Sequence, residues 1–409
     1  MPRALRLLVL LLLPAALAGC AGSGGGGGST VSGDVLRIYS SQPLKGRLAD
    51  QALAIVRGER LALADAGGRV GKRRVELLAL DNADPETGSW DPGLVSANAR
   101  KAAQDDKTIA YLGEMDTGAS AVSIPILNET DILEVSPTDT VAGFTREKGA
   151  NPGEPDKYYP TRDRNFARLV PPDDVQAAAL LTLMQDEKAT RAFVVSDGKL
   201  YGQELGRQVT RAARAKGVDV IKAQPVDLDD ADLGKLASEV AASGADAFVY
   251  SGDLHAKTAA LFQAVAAAAP KIKLFGPGAI ADDGFAVQLG PAGPRTFVTA
   301  PWLALKAYPP EARKVAKRYE ARYRTSMPTQ ALYGYEAMSA VLAAIARAGK
   351  DGNDRGDVID KMLHTRGRRS VLGTYSIDSD GDTTIKSYGS YGVRDGRLVF
   401  LRVLDPLGA

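Results

Sequence analysis

The chain has 409 residues, with 51 lysines and arginines against 49 aspartates and glutamates, 45% hydrophobic and 24% charged residues, two histidines and one cysteine. Without a basic excess nothing stands ready to neutralise a phosphate backbone, so nucleic acid is not an expected partner. A lone cysteine excludes a disulfide framework and a thiolate metal site, and the length exceeds what one hydrophobic core usually serves, so two domains are expected.

At the N-terminus Arg3 and Arg6 precede an apolar run from Leu7 to Leu17, followed by Ala18, Gly19 and Cys20. A charged start, a short apolar stretch and small residues before a cut describe a secretory signal. The run is too short to span a membrane. With a cysteine at the cut, Leu17-Ala18-Gly19-Cys20 resembles a bacterial lipobox, which implies that Cys20 is lipidated and becomes the first residue of the mature chain. Residues 1–20 are therefore expected to be a lipoprotein signal, and residues 21–33, rich in glycine and serine, a flexible tether. Loss of Arg3 and Arg6 leaves acidic and basic residues balanced. Membrane contact is expected through the lipid alone.

Beyond the tether, β-rich runs alternate with Ala/Leu-rich helical patterns, the signature of βαβ units and parallel sheets. Strands are predicted at Val35–Tyr39, Val75–Leu80, Ile109–Leu112 and Ile132–Val135, with helices at Asp50–Ala66, Gly93–Asp105 and Ala119–Glu129. A polar, Pro-bearing stretch from Gly143 to Arg164 interrupts the rhythm. It restarts with strands at Arg191–Val195, Asp219–Ala223, Ala247–Tyr250, Lys273–Phe275 and Thr296–Ala300, and helices at Asp174–Asp186, Gly202–Lys216, Ala231–Ala242 and His255–Ala268. From Pro309 the chain is helical through Ala348, with a short helix near Asp357–Leu363 and strand and turn signals to Val399. This tail lacks a domain rhythm of its own and is expected to pack back on the rest.

Five stretches in order carry a likeness to a known family. They are Ser41–Gly46 followed by a helix with Gly58 and an acid after it; Gly67–Lys72 with Val75-Glu76-Leu77, Asp81 and Asp84-Pro85; Leu112-Gly113 through Ser120 with Val135–Thr140; Asp197–Gly202; and Ser376–Asp382. Together they resemble type I periplasmic binding proteins, in the branch that captures branched-chain amino acids for ABC importers. The resemblance implies an α/β fold of two doubly wound parallel-sheet lobes joined by three crossings, with the ligand in the cleft between them. Carried onto this chain, lobe one comprises residues 34–170 plus 304–387 and lobe two 171–303 plus 388–409. A monomer is expected, with a small-molecule ligand and ABC permease subunits as partners, and with neither cofactor nor metal. A sensory or assembly lipoprotein of the same fold, signalling to a membrane partner, is the second reading left open.

Open parallel sheets bind ligands beyond the carboxyl ends of their strands, so the loops after strands are the candidate site. Thr117 stands where a hydroxyl in the family grips an α-carboxylate, at the positive end of a helix; Thr117 or Ser120 could equally be that helix's N-cap. Thr138 and Thr140 stand where relatives use backbone groups, within what could also be an ordinary proline turn. Tyr201 can close over a ligand with its ring, or cap a surface helix. Asp253 can pair a ligand ammonium, or cap the following helix. Gly278 replaces an acid common among amino-acid-binding relatives, leaving Asp139, Asp253 or Asp283 to hold an ammonium, or else a ligand without one. Asp378–Asp382 has the wrong glycine position for a calcium loop and reads as a hairpin turn. His255 and His364 lie too far apart to suggest zinc or a catalytic triad. No nucleophile elbow or Walker loop is present, and the Arg366–Arg369 cluster reads as a solvated loop.

Overall fold

The computed structural model describes residues 30–406; Cys20 and nearly all of the tether fall outside them. The first part of the chain runs β1 (Val35–Gln42), α1 (Ala49–Asp65), β2 (Arg69–Val70), β3 (Arg73–Asp81), α2 (Pro92–Gln104), β4 (Thr108–Leu112), α3 (Thr117–Asn128), β5 (Leu133–Ser136) and β6 (Phe166–Arg168). The second runs α4 (Asp173–Asp186), β7 (Arg191–Ser196), α5 (Leu200–Ala213), β8 (Asp219–Pro225), α6 (Leu233–Ala242), β9 (Ala247–Ser251), α7 (Thr258–Ala268), β10 (Lys273–Gly276), α8 (Asp283–Gln288) and β11 (Thr296–Ala300). The tail adds α9 (Pro310–Tyr323), α10 (Gln330–Ala348), α11 (Arg355–Leu363), β12 (Arg368–Ser370), β13 (Gly373–Tyr375), β14 (Tyr388–Arg394) and β15 (Arg397–Leu404).

Two large sheets result, ordered β2-β3-β1-β4-β5-β6 and β15-β14-β11-β10-β9-β7-β8, and β12 and β13 form a separate antiparallel pair. In the large sheets the inner strands pair in parallel, and β2, β14 and β15 run antiparallel at edges. Sheets covered on both faces need strands apolar on both faces, and Thr-Ile-Ala-Tyr-Leu of β4 and Ala-Phe-Val-Tyr-Ser of β9 are buried throughout. In lobe one, α1, α10 and α11 cover one face and α2 and α3 the other. In lobe two, α6 to α8 cover one face and α4 and α5 the other. The chain passes between the sheets after β6, after β11 and before β14.

The tail has no sheet of its own because its helices complete lobe one. Helix α10 lies against α1 through a pair of glycines. A Cβ on Gly58 would stand 2.0 Å from the Ala331 carbonyl oxygen, and one on Gly334 2.2 Å from that of Ile55. No side chain fits where two helix backbones come this close.

Most predicted elements match to within a few residues, and the misses have local causes. Strand β6 has three residues and follows a polar stretch, so it carried no periodic signal. Helix α8, at six residues, is below the length at which periodicity is readable. The last strand runs to Leu404, beyond Val399, as the partner of β14. Arg368 corrects the reading of its cluster as a solvated loop: it lies on β12 with its guanidinium 2.6 Å from the buried carboxylate of Glu336, which also accepts from the Tyr375 hydroxyl at 2.7 Å.

At the crossings, Arg168 is fully buried, an expensive state for a guanidinium unless paired. Its Nε donates to Asp382 at 2.7 Å and its Nη1 to the Val141 carbonyl at 2.7 Å, and Nη2 reaches the Thr145 hydroxyl. Asp382 ends the Asp378–Asp382 turn, so this acidic stretch ties the end of β6 to the segment before the third crossing.

Candidate ligand-binding cleft

Both sheets present the ends of their central strands to a single cavity at the lobe seam, about 80 Å3 when measured to the centre of a water molecule. Strand order reverses around β1 in lobe one and around β7 in lobe two, and the loops leaving such points diverge to form a crevice. Lobe one contributes Leu48, Gln51, Met115, Asp116, Thr117, Thr138, Thr140 and Gln330; from the crossings and lobe two come Gln176, Tyr201, Asp253, Leu254, Gly278, Ala279, Pro301 and Trp302. Thr117, Thr138, Thr140, Tyr201 and Asp253 thus meet in one place although they span 137 positions of sequence, from Thr117 to Asp253.

Helix α3 presents its N-terminus to the cavity. Its N-cap is Asp116 rather than Thr117 or Ser120, yet the Asp116 side chain makes no cap hydrogen bond. Burial, with repulsion from Asp139, pushes its carboxyl above the usual range. Thr117 is the first helical residue and almost fully buried. Ser120 is spent inside the lobe, accepting from the Glu114 N–H at 3.2 Å and donating to Asp139.

After β5, the Ser136 hydroxyl accepts from the backbone N–H of Thr138 at 3.2 Å and of Asp139 at 2.9 Å, a local turn bond. The Thr138 hydroxyl donates to the Met115 carbonyl at 2.8 Å, and the Thr140 carbonyl accepts from the Asp173 N–H at 2.7 Å. The Thr138 N–H is therefore engaged within the protein. Asp139 points into lobe one, fully buried, and does not reach the cavity surface, where it was a candidate ammonium partner. Burial raises its carboxyl to about 7 against the opposing pull of Ser120 and Arg168. Asp283 is corrected as well: it is an exposed residue in the first turn of α8 and does not line the cavity.

From lobe two, Tyr201 is buried in the first turn of α5 and donates to Gln176 Oε1 at 3.2 Å. Asp253 follows β9 and caps no helix, since α7 starts at Thr258. Its own N–H donates to Asp197 Oδ2 at 2.9 Å, and Asp197 Oδ1 accepts from the Lys199 N–H at 3.0 Å. Asp197 fits because Gly202 and Gly252 leave room: a Cβ on either would stand 2.2 Å and 2.6 Å from its carboxylate. It is thus a positioning residue for the Asp253 loop. Burial and the neighbouring Asp197 push the Asp253 carboxyl up.

Gly278 lines the cavity, and a Cβ there would lie 3.1 Å from Pro301 Cδ and 3.2 Å from Ala300 Cα. A side chain at this position is tighter than ordinary van der Waals contact, and Pro301 and Ala300 would have to give by a few tenths of an ångström to admit it. Sequence reasoning missed Gln176 and Trp302. Gln176 sits among the alanines and leucines of α4, and Trp302 in the crossing after β11; neither position carries a motif. Among the described residues no group of three or more His, Cys, Asp or Glu could hold a metal ion.

Two α/β lobes closing on a shared cavity define a type I bilobal binding-protein fold. The periplasmic binding protein family model matches residues 37–397, and the chain belongs to that family. It is 24% identical over 361 residues to Leu/Ile/Val-binding protein homolog 2 of Brucella abortus, covering 87% of this chain and 89% of that protein. It is 24% identical over 332 residues to an amino acid binding protein of Pseudomonas aeruginosa, covering 80% and 81%. A leucine binding protein of Thermotoga maritima shares the fold with a TM-score of 0.74 at 21% identity, covering 91% of this chain and 99% of its own. A solute binding protein of an R. palustris ABC transporter, solved with 4-hydroxybenzoate, gives a TM-score of 0.75 at 17% identity, covering 91% and 97%. The family is one of extracytoplasmic solute-binding proteins. Among the described residues no helix is long and apolar enough to cross a membrane.

Proposed function

We propose that this protein is a lipid-anchored solute receptor that captures a small molecule between its lobes and presents it to the permease of an ABC importer, without catalysing a reaction. The observation that carries this reading is the seam cavity, to which Thr117, Thr138 and Thr140 contribute from one lobe and Tyr201 and Asp253 from the other. A ligand touching both walls favours the closed arrangement by its differential contacts with it, and that preference is what a permease can recognise. The lobes are taken as residues 34–170 plus 304–387 and 171–303 plus 388–409, with Pro301 and Trp302 at the second crossing lining the cavity. The relatives named for Leu, Ile and Val and for amino acids support an amino-acid-like ligand, with a small carboxylate or amide as the neighbouring possibilities. Lipid on Cys20 would hold the monomer near its permease and raise the local concentration.

Trp302 lines the cavity, so ligand binding should change tryptophan emission. Titration with Leu, Ile, Val, other amino acids, amines, amides and small carboxylates, with thermal shift as a second readout, is expected to show saturable binding for one chemical class. Silence across the whole panel would overturn the receptor reading.

A further inference from the structure

Among the described residues, the charged side chains lining the cavity are two acids, Asp116 and Asp253, one on each wall, with no lysine, arginine or histidine beside them. Asp116 Oδ2 is buried and has no hydrogen-bond partner. A buried carboxylate oxygen without a donor is costly, and a ligand donor relieves that cost. The surrounding charges do not supply one. Lys199, the cation that acts on both acids, is itself exposed, and Asp139, behind Asp116, adds to the negative charge. Arg47 is exposed and spends a guanidinium N–H on the Leu254 carbonyl at 2.6 Å. Asp197 is occupied by backbone N–H groups, and Asp173 lies beside Thr140. Gln176 also lines the cavity; it is 1% exposed, and its Nε2 is a buried donor with no acceptor.

Resting on the receptor reading above, we infer that the ligand is a small organic cation, an amine whose head lies between Asp116 and Asp253 and whose carboxyl group, where it has one, is masked as an amide that accepts from Gln176 Nε2. A free carboxylate at the α3 N-terminus gains from the helix end but faces the Asp116 charge beside it. Charge therefore separates this cavity from one that holds 4-hydroxybenzoate, an anion. Burial raises both carboxyls, joined by repulsion from Asp139 on Asp116 and from Asp197 and Asp116 on Asp253, so a cation seated between them displaces protons to solvent.

The test is isothermal titration of the purified protein at about pH 8 with compounds of matched shape and different charge. A larger set is L-leucinamide, 3-methylbutylamine, L-leucine and 4-methylpentanoate; a smaller set is L-alaninamide, propylamine, L-alanine and propanoate. Amides and amines are expected to bind about tenfold or more tightly than the zwitterion of the same size, with no heat from the anions. In Asp116→Asn the preference should collapse by about tenfold and carboxylates should gain affinity, a gain that a merely damaged fold cannot produce. Should that variant not fold, Asp253→Asn serves for the same measurement. Tighter binding of a zwitterion or an anion in either set would overturn the cation inference and leave the receptor reading standing. Absence of heat from both sets and from the full solute panel would overturn the receptor reading itself.

Discussion

Beside the cavity, lobe one buries Glu114, Glu134 and Asp139 completely, with Tyr111 donating to Glu114 at 2.7 Å and Ser123 to Glu134 at 2.7 Å. Lobe two builds the core beneath β9 and β10 from aromatic rings. Phe262 meets Phe248 and Phe285 edge to face, with centroids 5.7 Å and 5.3 Å apart. One lobe thus draws on hydrogen bonds among carboxyls that resist ionisation, the other on apolar burial and ring geometry. The contrast teaches that two buried clusters of one fold need not share a pH response. A proton binds to the carboxyls of lobe one, and nothing comparable titrates in the aromatic cluster.

Three measurements can break or sharpen that contrast. The largest effect is expected from Phe262→Ala, which removes a fully buried ring from the centre of the aromatic cluster. It should cost about 3–5 kcal/mol in urea unfolding, by the same amount at pH 6 and pH 9. A cost that changed with pH would place a titrating group against the aromatic cluster itself.

Next in size is the pH dependence of the native protein. Burial raises Glu59 and Glu114 to about 8, and Asp139 and Asp173 to about 7. An acid whose folded value lies above its unfolded one binds its proton more tightly when folded. Its contribution is complete below the unfolded value near pH 4 and is lost as pH rises through 7 to 8. The free energy of urea unfolding should therefore fall between about pH 5 and pH 9, by up to ~2–4 kcal/mol for each such acid, and Glu114→Gln should flatten the curve. A free energy that rose over that range would contradict the buried-acid account.

The smallest of the three is Arg168→Lys. It keeps the charge beside Asp382 but loses the fork that also reaches the Val141 carbonyl and the Thr145 hydroxyl. A cost of about 1–3 kcal/mol is expected, read by thermal unfolding. No change would mean that the crossings do not depend on this guanidinium.

Much of this was legible before any coordinates. Strands such as β4, β9 and β11 (Thr296–Ala300) were visible as short β-rich runs alternating with helical patterns, the rhythm of a parallel sheet covered on both faces. Thr117, Thr138, Thr140, Tyr201 and Asp253 were singled out because they follow strands and stand where the family resemblance places ligand contacts, and sheet topology brings those loops to one cavity. Asp139 and Asp283 show the limit. Both are acids in the right stretch of sequence, but one turns inward to Ser120 and the other outward on α8. Which way a loop side chain points depends on what packs behind it, and hydropathy does not encode that.

The amino-acid sequence alone determined the α/β rhythm, the two-lobed class and the neighbourhood of the cleft, because each follows from local periodicity and from residues at the ends of strands. Only the tertiary structure decided that Gly58 meets Gly334, that Arg168 meets Asp382, and that Asp116 and Asp253 share a cavity with no cation on its wall. These are relations between segments far apart in the chain. Steric contact and Coulomb interaction act on distance in space, whatever the separation along the chain.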